Sequence, residues 1–172
     1  EIEADLNAIK AIRPGEFGIR RILTDEKWLV SFVDDDGPVS YYVYDRASKT
    51  NTFLFTNKPK LEGLQLAPME PMSFTARDGL TIHGYLTKPV GVSTPVPTVM
   101  LVHGGPWARD FWGYDSEAQW LANRGYAVLQ LNFRGSTGYG KAFVNAANRE
   151  WAGKMHDDLI DGVNWLVENN IA

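Results

Sequence analysis

The feature of this sequence that most constrains its fold is the apolar run TVMLV, residues 98–102, which ends abruptly in His103-Gly104-Gly105-Pro106. A continuous apolar run of this length is typical of a strand that is buried on both faces of a parallel sheet. Two glycines and a proline end such a strand at once, and the glycines permit backbone conformations that other residues avoid. We therefore predict a buried parallel strand that ends in a tight glycine loop.

The segments after this loop alternate between helix and strand patterns. Ser116 and Gln119 have the spacing of a capping box, and Gly125 stands where a C-terminal helix cap belongs. The next strand is YAVLQLNF, residues 126–133. Two later segments carry apolar residues at helical spacing, first Phe143, Val144, Ala147 and Trp151, and then Leu159, Val163, Leu166 and Val167. The order strand, helix, strand, helix predicts an α/β fold with a parallel sheet and crossover connections.

A β-hairpin is predicted immediately before this α/β pattern. The strands MSFTAR, residues 72–77, and LTIHGYLT, residues 80–87, flank Asp78-Gly79, the strongest signal for a two-residue hairpin loop. One face of the second strand carries Thr81, His83, Tyr85 and Thr87. These side chains predict a face that is exposed to solvent.

The first third of the chain has a different pattern, typical of an all-β segment. Aromatic and β-branched residues dominate four short predicted strands, at residues 17–23, 27–33, 39–45 and 50–55. Four antiparallel strands in roughly 40 to 50 residues is the size of one β-propeller blade, with a small independent meander as the alternative. Three prolines between residues 57 and 71 indicate a linker. We expect a partial blade and linker over 1–67 and an α/β domain over 68–172.

Composition excludes several classes of protein. The 172 residues are 44% hydrophobic and 22% charged, as in a globular domain. A net charge of −4 argues against a nucleic-acid partner, and the absence of cysteine excludes disulfides and thiolate chemistry. No apolar run approaches the roughly 20 residues of a membrane helix, so we expect no membrane partner. The chain begins EIEADLNAIK, which is unlike a signal peptide and favours the cytoplasm, and without an initiator methionine we expect residues upstream.

An acidic cluster opens the last predicted helix, and its members are His156, Asp157, Asp158 and Asp161. Carboxylates at positions i and i+4 share a helix face and could hold a metal ion. Acidic residues in a first helical turn are more simply explained by capping and by the helix dipole. We therefore predict a cap here and no metal. No phosphate loop or dinucleotide fingerprint occurs, so no organic cofactor is predicted either.

The glycine loop carries the strongest chemical signal. In a sheet with parallel strands, functional groups collect at the carboxyl ends of the strands. Counted from residue 72, this loop follows the third strand, where α/β-hydrolases place an HGGG-type loop that donates a backbone N–H to the oxyanion. One such donor contributes roughly 3 kcal/mol to stabilisation of the transition state. The alternative is a tight turn that needs glycines for geometry only.

Three stretches, VHGGPW, WLANRGYAVLQLNFRGSTGYG and MHDDLIDGVNWL, resemble the prolyl oligopeptidase family of serine peptidases. The similar branch contains acylaminoacyl peptidases and dipeptidyl peptidases. Such enzymes carry an α/β-hydrolase domain beside a β-propeller, and they cleave short peptides or remove residues from peptide N-termini. The resemblance implies that this chain holds the N-terminal half of the hydrolase domain, preceded by the last propeller blade.

The resemblance also implies roles for individual residues. Gly105 would donate its backbone N–H to the oxyanion, while Gly104 would keep the loop open. His103 would fix the loop by hydrogen bonding, with direct substrate contact as the alternative. The candidate substrate contacts are Trp107, Arg134 and Tyr139, although Arg134 is expected chiefly to support its own loop.

The nucleophile is expected outside this chain. Family members carry it in a G-x-S-x-G elbow, followed by the acid and the histidine. Ser136 in RGSTGYG is a poor substitute, because Arg134 stands where the elbow needs a small residue and the following glycines start a helix badly. The three histidines, His83, His103 and His156, are not assigned as the general base.

We therefore expect part of a serine peptidase that hydrolyses short peptides or releases N-terminal aminoacyl groups, and we expect the isolated chain to be inactive. Its partners would be a peptide substrate and the remainder of the hydrolase domain and propeller, on the same polypeptide or a second one. The alternatives are a carboxylesterase, a non-catalytic interaction module and one chain of a split enzyme.

Overall fold

In the computed structural model, which describes residues 2–21, 23–105 and 107–172, the chain divides into two units, Glu1–Gln65 and Leu66–Ala172. Ile22, in the first predicted strand, and Pro106, in the glycine loop, lie outside the described residues. Within the described ranges, no helix has both the length and the apolar character needed to cross a bilayer.

The first unit is a four-stranded antiparallel sheet preceded by a helix. Its elements are α1 (Ile2–Lys10), β1 (Glu16–Arg21), β2 (Lys27–Val33), β3 (Ser40–Asp45) and β4 (Thr50–Thr56), with the strands in chain order. The four predicted strands are therefore confirmed, whereas α1 was not predicted. Alternate residues of β2 are buried, and they pack with Ile9 of α1 and Tyr44 of β3. The opposite edge, β4, leaves Phe53 and Phe55 about half exposed.

The second unit is a mixed sheet with three helices. Its elements are β5 (Met69–Thr75), β6 (Thr81–Thr87), β7 (Thr98–Leu101), α2 (Ser116–Ala122), β8 (Ala127–Asn132), α3 (Lys141–Asn145) and α4 (Lys154–Glu168). The strand order is β5-β6-β8-β7, in which only β7 and β8 run parallel. The predicted α/β class is correct, but the sheet is parallel only at this one pair.

Burial in this sheet follows strand position. All six residues of β8, the strand between β6 and β7, are buried. Residues Thr98–Leu101 of β7 are only half-buried, although the sequence predicted full burial, because β8 is their one strand neighbour in the described sheet. Helix α4 packs closely on β8, since a Cβ at Gly162 would overlap the Leu131 side chain.

The helix caps differ from the predicted ones at one end. Asp115, not Ser116, is the N-cap of α2. Its carboxylate accepts hydrogen bonds from the main-chain amides of residues 117 and 118, in the first turn of the helix. Gln119 does not complete a capping box, since its amide bonds the main chain of Ala67. Gly125, with φ of +88°, ends the helix as predicted.

Other local predictions need small corrections. The hairpin at Asp78-Gly79 has a three-residue loop, because Ala76 N donates to Leu80 O and only Gly79 adopts a positive φ. Two predicted helix faces are displaced. Helix α3 ends at Asn145, which leaves Trp151 exposed, and α4 buries Asp158, Gly162 and Leu166 while Val163 and Val167 stay exposed.

Candidate functional site

The parallel pair β7 and β8 brings two loops to one edge of the sheet. Leu101 pairs with Gln130 near the carboxyl ends of both strands, so the chain after each strand leaves at the same edge. The first loop carries Gly104 and Gly105, and the second begins at Phe133. The glycine loop therefore lies at the carboxyl end of a parallel strand, as the sequence predicted.

Gly105 is exposed and has a backbone conformation that favours glycine. Its φ is +147°, and a Cβ there would lie only 2.8 Å from Trp107 N and 3.1 Å from Ala108 N. Any side chain at this position would therefore displace the loop. Among the residues that the structure describes, none accepts a hydrogen bond from the Gly105 amide. The N–H is thus available to an external acceptor.

His103 links the two loops. Its Nδ1 lies 2.9 Å from Gly104 O and its Nε2 lies 3.0 Å from Ser136 Oγ. The ring also stacks on Phe133, with centroids 4.6 Å apart. The Ser136 hydroxyl also lies 2.7 Å from Phe133 O, so Ser136 is hydrogen-bonded within its own loop. Ser136 is fully buried, which leaves no route for a substrate to reach its oxygen.

Arg134 is committed to two carboxylates inside the unit. Its guanidinium donates to both Asp158 oxygens and to both Asp78 oxygens, at 2.7 to 3.0 Å, and its own amide donates to Asp158. These hydrogen bonds hold the pKa of Asp78 well below its usual range and raise that of Arg134. Since Arg134 is only 3% exposed, its position favours support of the loop over substrate contact.

The acidic cluster has a different role from the predicted one. Helix α4 begins after Gly153, and Asp158 lies in its second turn, where it binds Arg134 instead of capping the helix. Asp157 and Asp161 both pair with Arg77, and these contacts lower the pKa of Asp161. The prediction of a cap is therefore wrong. In the described part of the chain, no group of three or more acidic, histidine or cysteine side chains could hold a metal ion.

Tyr139 covers the strand face that the sequence predicted to be solvated. Its ring stacks on His83 at 4.7 Å, nearly parallel, and its hydroxyl accepts a hydrogen bond from Asn132 Nδ2 at 2.8 Å. Burial raises the pKa of Tyr139. On the same face Thr81 is exposed, His83 and Tyr85 are half-buried and Thr87 is buried, so the prediction of a solvated face is correct at Thr81 and wrong at Thr87.

Three residues near the glycine loop were missed by sequence reasoning. Asn132 Oδ1 accepts from Asp110 N at 2.7 Å, and Arg109 Nη2 donates to Tyr85 and Tyr139. Burial raises the pKa of Asp110, whose Oδ2 is buried without a hydrogen-bond partner in the described structure. A polar asparagine at the end of an apolar strand was the available signal.

A cavity of about 260 Å³ opens beside Gly105. Its walls are formed by Gly105, Phe133, Trp151, Ala152 and Met155, so it is predominantly apolar. Trp107, a predicted substrate contact, is not among these residues, and its side chain is 67% exposed.

The sequence is similar to a known protein family and to several curated proteins. Residues 112–172 match the model of the prolyl oligopeptidase family. Dipeptidyl aminopeptidase BIII of Pseudoxanthomonas mexicana is 52% identical over 99% of this chain and 26% of its own length. Dipeptidyl peptidase family member 6 of Caenorhabditis elegans is 38% identical over 98% of this chain and 26% of its own length. The chain therefore spans about a quarter of the length of these curated relatives.

Solved structures of similar proteins share the fold. A puromycin-hydrolyzing peptidase of Mycobacterium tuberculosis superposes with a TM-score of 0.72 at 27% identity, over 86% of this chain and 23% of its own. An acylaminoacyl peptidase of Pyrococcus horikoshii also has a TM-score of 0.72, at 22% identity, over 92% of this chain and 26% of its own.

Proposed function

The chain belongs to the prolyl oligopeptidase family of serine peptidases, and we propose that it supplies one oxyanion donor, the Gly105 amide, to such an enzyme. The reaction would be hydrolysis of short peptides, with release of a dipeptide or an acylaminoacyl group from the N-terminus. The relatives named as dipeptidyl aminopeptidase and dipeptidyl peptidase support this substrate class.

The observation that carries the proposal is the Gly105 amide beyond the carboxyl end of β7, for which the described part of the chain supplies no acceptor. When a serine hydroxyl attacks a peptide carbonyl, the carbonyl oxygen becomes negative as its π bond breaks. A fixed N–H directed at that oxygen stabilises the transition state by about 3 kcal/mol. A second donor would come from the residue after the nucleophile. The seryl oxygen then forms the acyl-enzyme as the amine leaves, and water releases the acid.

His103 and Gly104 would hold the donor in place. Both ring nitrogens of His103 lie within hydrogen-bond distance of a neighbouring group, and the Nδ1 contact is to the residue directly before Gly105. Rotation of the Gly104–Gly105 segment would break this contact. We therefore assign a supporting role in the loop to His103. Gly104 would keep the loop open, since among the described residues nothing but its chain neighbours lies within 4 Å of a Cβ placed there.

Other parts of the enzyme would come from outside this chain. Ser136 is unsuited to be the nucleophile because it is buried and hydrogen-bonded. We propose that the nucleophile, acid and base lie on residues beyond this chain, and that a strand carrying the nucleophile pairs with β7, whose side chains are half-buried. The chain would then be the first half of an α/β-hydrolase domain over 68–172.

The first unit would be the last blade of a β-propeller, within the partial domain 1–67. Its four antiparallel strands and the exposed aromatic side chains of β4 support this assignment, since a lone blade leaves apolar surface for its neighbours. The remaining blades and the rest of the hydrolase domain would be its partners, on the same polypeptide or a second one.

The test uses the whole protein and a chromogenic dipeptidyl amide. Gly105→Ala should lower kcat/KM by about 10²–10³, because it displaces the donor. Gly91→Ala serves as control, since Gly91 also has a positive φ, +70°, but lies in open space. Wild-type turnover by Gly105→Ala would overturn the proposal. Comparison of matched amide and ester substrates separates a peptidase from a carboxylesterase.

A further inference from the structure

We propose that Arg109 is a positioning residue for the Gly105 amide. Together with Asn132 and Tyr139 it would fix the main chain of residues 107–110, which runs close beside Gly105. The inference rests on the proposed function, because it concerns the same oxyanion donor.

The Asn132 side chain makes two hydrogen bonds to the main chain of Asp110, one to the N–H and one to the C=O, as a neighbouring β-strand would. Asn132 Oδ1 accepts from Asp110 N at 2.7 Å, and Asn132 Nδ2 donates to Asp110 O at 3.2 Å. Asn132 is fully buried at the end of β8, so this side-chain amide is itself rigidly placed. The loop after Gly105 is therefore anchored to the central strand at residue 110.

Arg109 adds a second anchor on the adjacent residue. Its guanidinium lies 4.8 Å from the Phe111 ring centroid and 4.9 Å from that of Tyr139. Nη2 donates to Tyr85 at 3.2 Å and, less closely, to Tyr139, while Nε donates to Asp110 O at 3.0 Å. Only a planar guanidinium can stack on rings and donate sideways in this way, so lysine is not an equivalent residue.

The anchored segment runs close beside Gly105, because a Cβ placed on Gly105 would meet it. The Ala108 amide nitrogen lies 3.1 Å from the position of a Gly105 Cβ, and Ala108 O accepts a hydrogen bond from Thr137 N at 3.0 Å. A shift of residues 107–110 would therefore reach the Gly105 amide without an intervening element. A displacement of about 1 Å in a catalytic group can cost on the order of 10²-fold in rate.

Gly138 provides a way to move Arg109 without removing it. A Cβ at Gly138 would overlap Arg109 Nη1 and lie 3.2 Å from its Cζ, so alanine there must shift the guanidinium. Gly140 is a matched control in the same loop. Its φ of +92° equals the +91° of Gly138 within a degree, but its Cβ would have no neighbour within 4 Å. Both alanine variants thus place a side chain at a positive φ, but only Gly138→Ala brings its Cβ against Arg109.

The experiment measures kcat and KM of the whole protein with a chromogenic dipeptidyl amide, per active site titrated with a fluorophosphonate. Gly138→Ala and Arg109→Ala should each lower kcat by about tenfold or more with KM nearly unchanged, because the donor acts in the transition state. Arg109→Lys should not restore kcat, and Gly140→Ala should stay close to wild type. If Arg109 only stabilised the fold, its loss would produce misfolded, inactive molecules. Active-site titration does not count such molecules, so kcat per titrated site would then stay unchanged.

Two results would overturn the inference. Wild-type kcat per titrated site in Gly138→Ala would show that Arg109 need not stay in place. Wild-type kcat in Arg109→Ala would show the same if Gly138→Ala fails to fold. Gly105→Ala, measured in parallel, separates the two proposals: if it retains wild-type kcat, the assignment of the donor itself fails.

Discussion

Removal of the Asp158 charge tests the buried ion pairs that hold the loop after β8. Asp158 is fully buried, and it accepts three hydrogen bonds from Arg134, two from the guanidinium and one from the amide. Asp158→Asn keeps the shape but places amide hydrogens against arginine donors. Loss of one partner from a buried pair costs about 3–5 kcal/mol. We expect the lower end of this range, because Arg134 keeps its pairing with Asp78.

The neighbouring residue supplies the control. Asp157 receives the same substitution, Asp157→Asn, but its side chain is 40% exposed and its partner Arg77 is 50% exposed. A pair of this kind contributes about 0–1 kcal/mol. Both variants are made in the whole protein, and unfolding is followed by urea titration at pH 7. The difference in unfolding free energy between the variants should therefore be about 2 kcal/mol or more.

The contradictory result is equally specific. If Asp158→Asn and Asp157→Asn lower the urea midpoint equally, the buried ion pair between Asp158 and Arg134 does not stabilise the protein more than the exposed pair does.

Three further predictions concern stability. Contacts with Lys49, Tyr44 and Arg46 lower the pKa of Asp5 from 3.8 to about 2, so its stabilising effect is complete above pH 3.8 and is lost as pH falls through about 2. Asp5→Asn should remove this part of the acid dependence in a pH series of thermal melts. Gly162→Ala should lower the unfolding free energy by about 1–3 kcal/mol in urea titration, because its Cβ overlaps Leu131; an unchanged midpoint would contradict the close packing of α4. In the same urea titration, Asp115→Ala should lower the unfolding free energy by about 1 kcal/mol and Ser116→Ala by clearly less. The reverse order would indicate that Ser116 is the cap, as the sequence predicted.

Most strands could be predicted from the sequence because the signals that specify them are local. Residues 27–33 alternate in burial with a period of two, and the pattern is visible in KWLVSFV itself. The glycine loop was equally visible, since His103, Gly104 and Gly105 are contiguous with an apolar run. The helix caps were harder to predict. Asp115 and Ser116 are both good capping residues, and which one caps the helix depends on the backbone conformation of residue 115.

The sequence by itself determined the α/β class, the position of the glycine loop and the absence of cysteine chemistry, because each depends on neighbouring residues or on composition. Only the tertiary structure decided that Arg134 binds Asp78 and Asp158, 56 and 24 residues away, and that Asn132 holds Asp110. These contacts depend on strand order and on how α4 packs against β8. A residue's own neighbours carry no information on which distant carboxylate will share its buried site, and that choice determines whether a charged side chain supports a loop or faces a substrate.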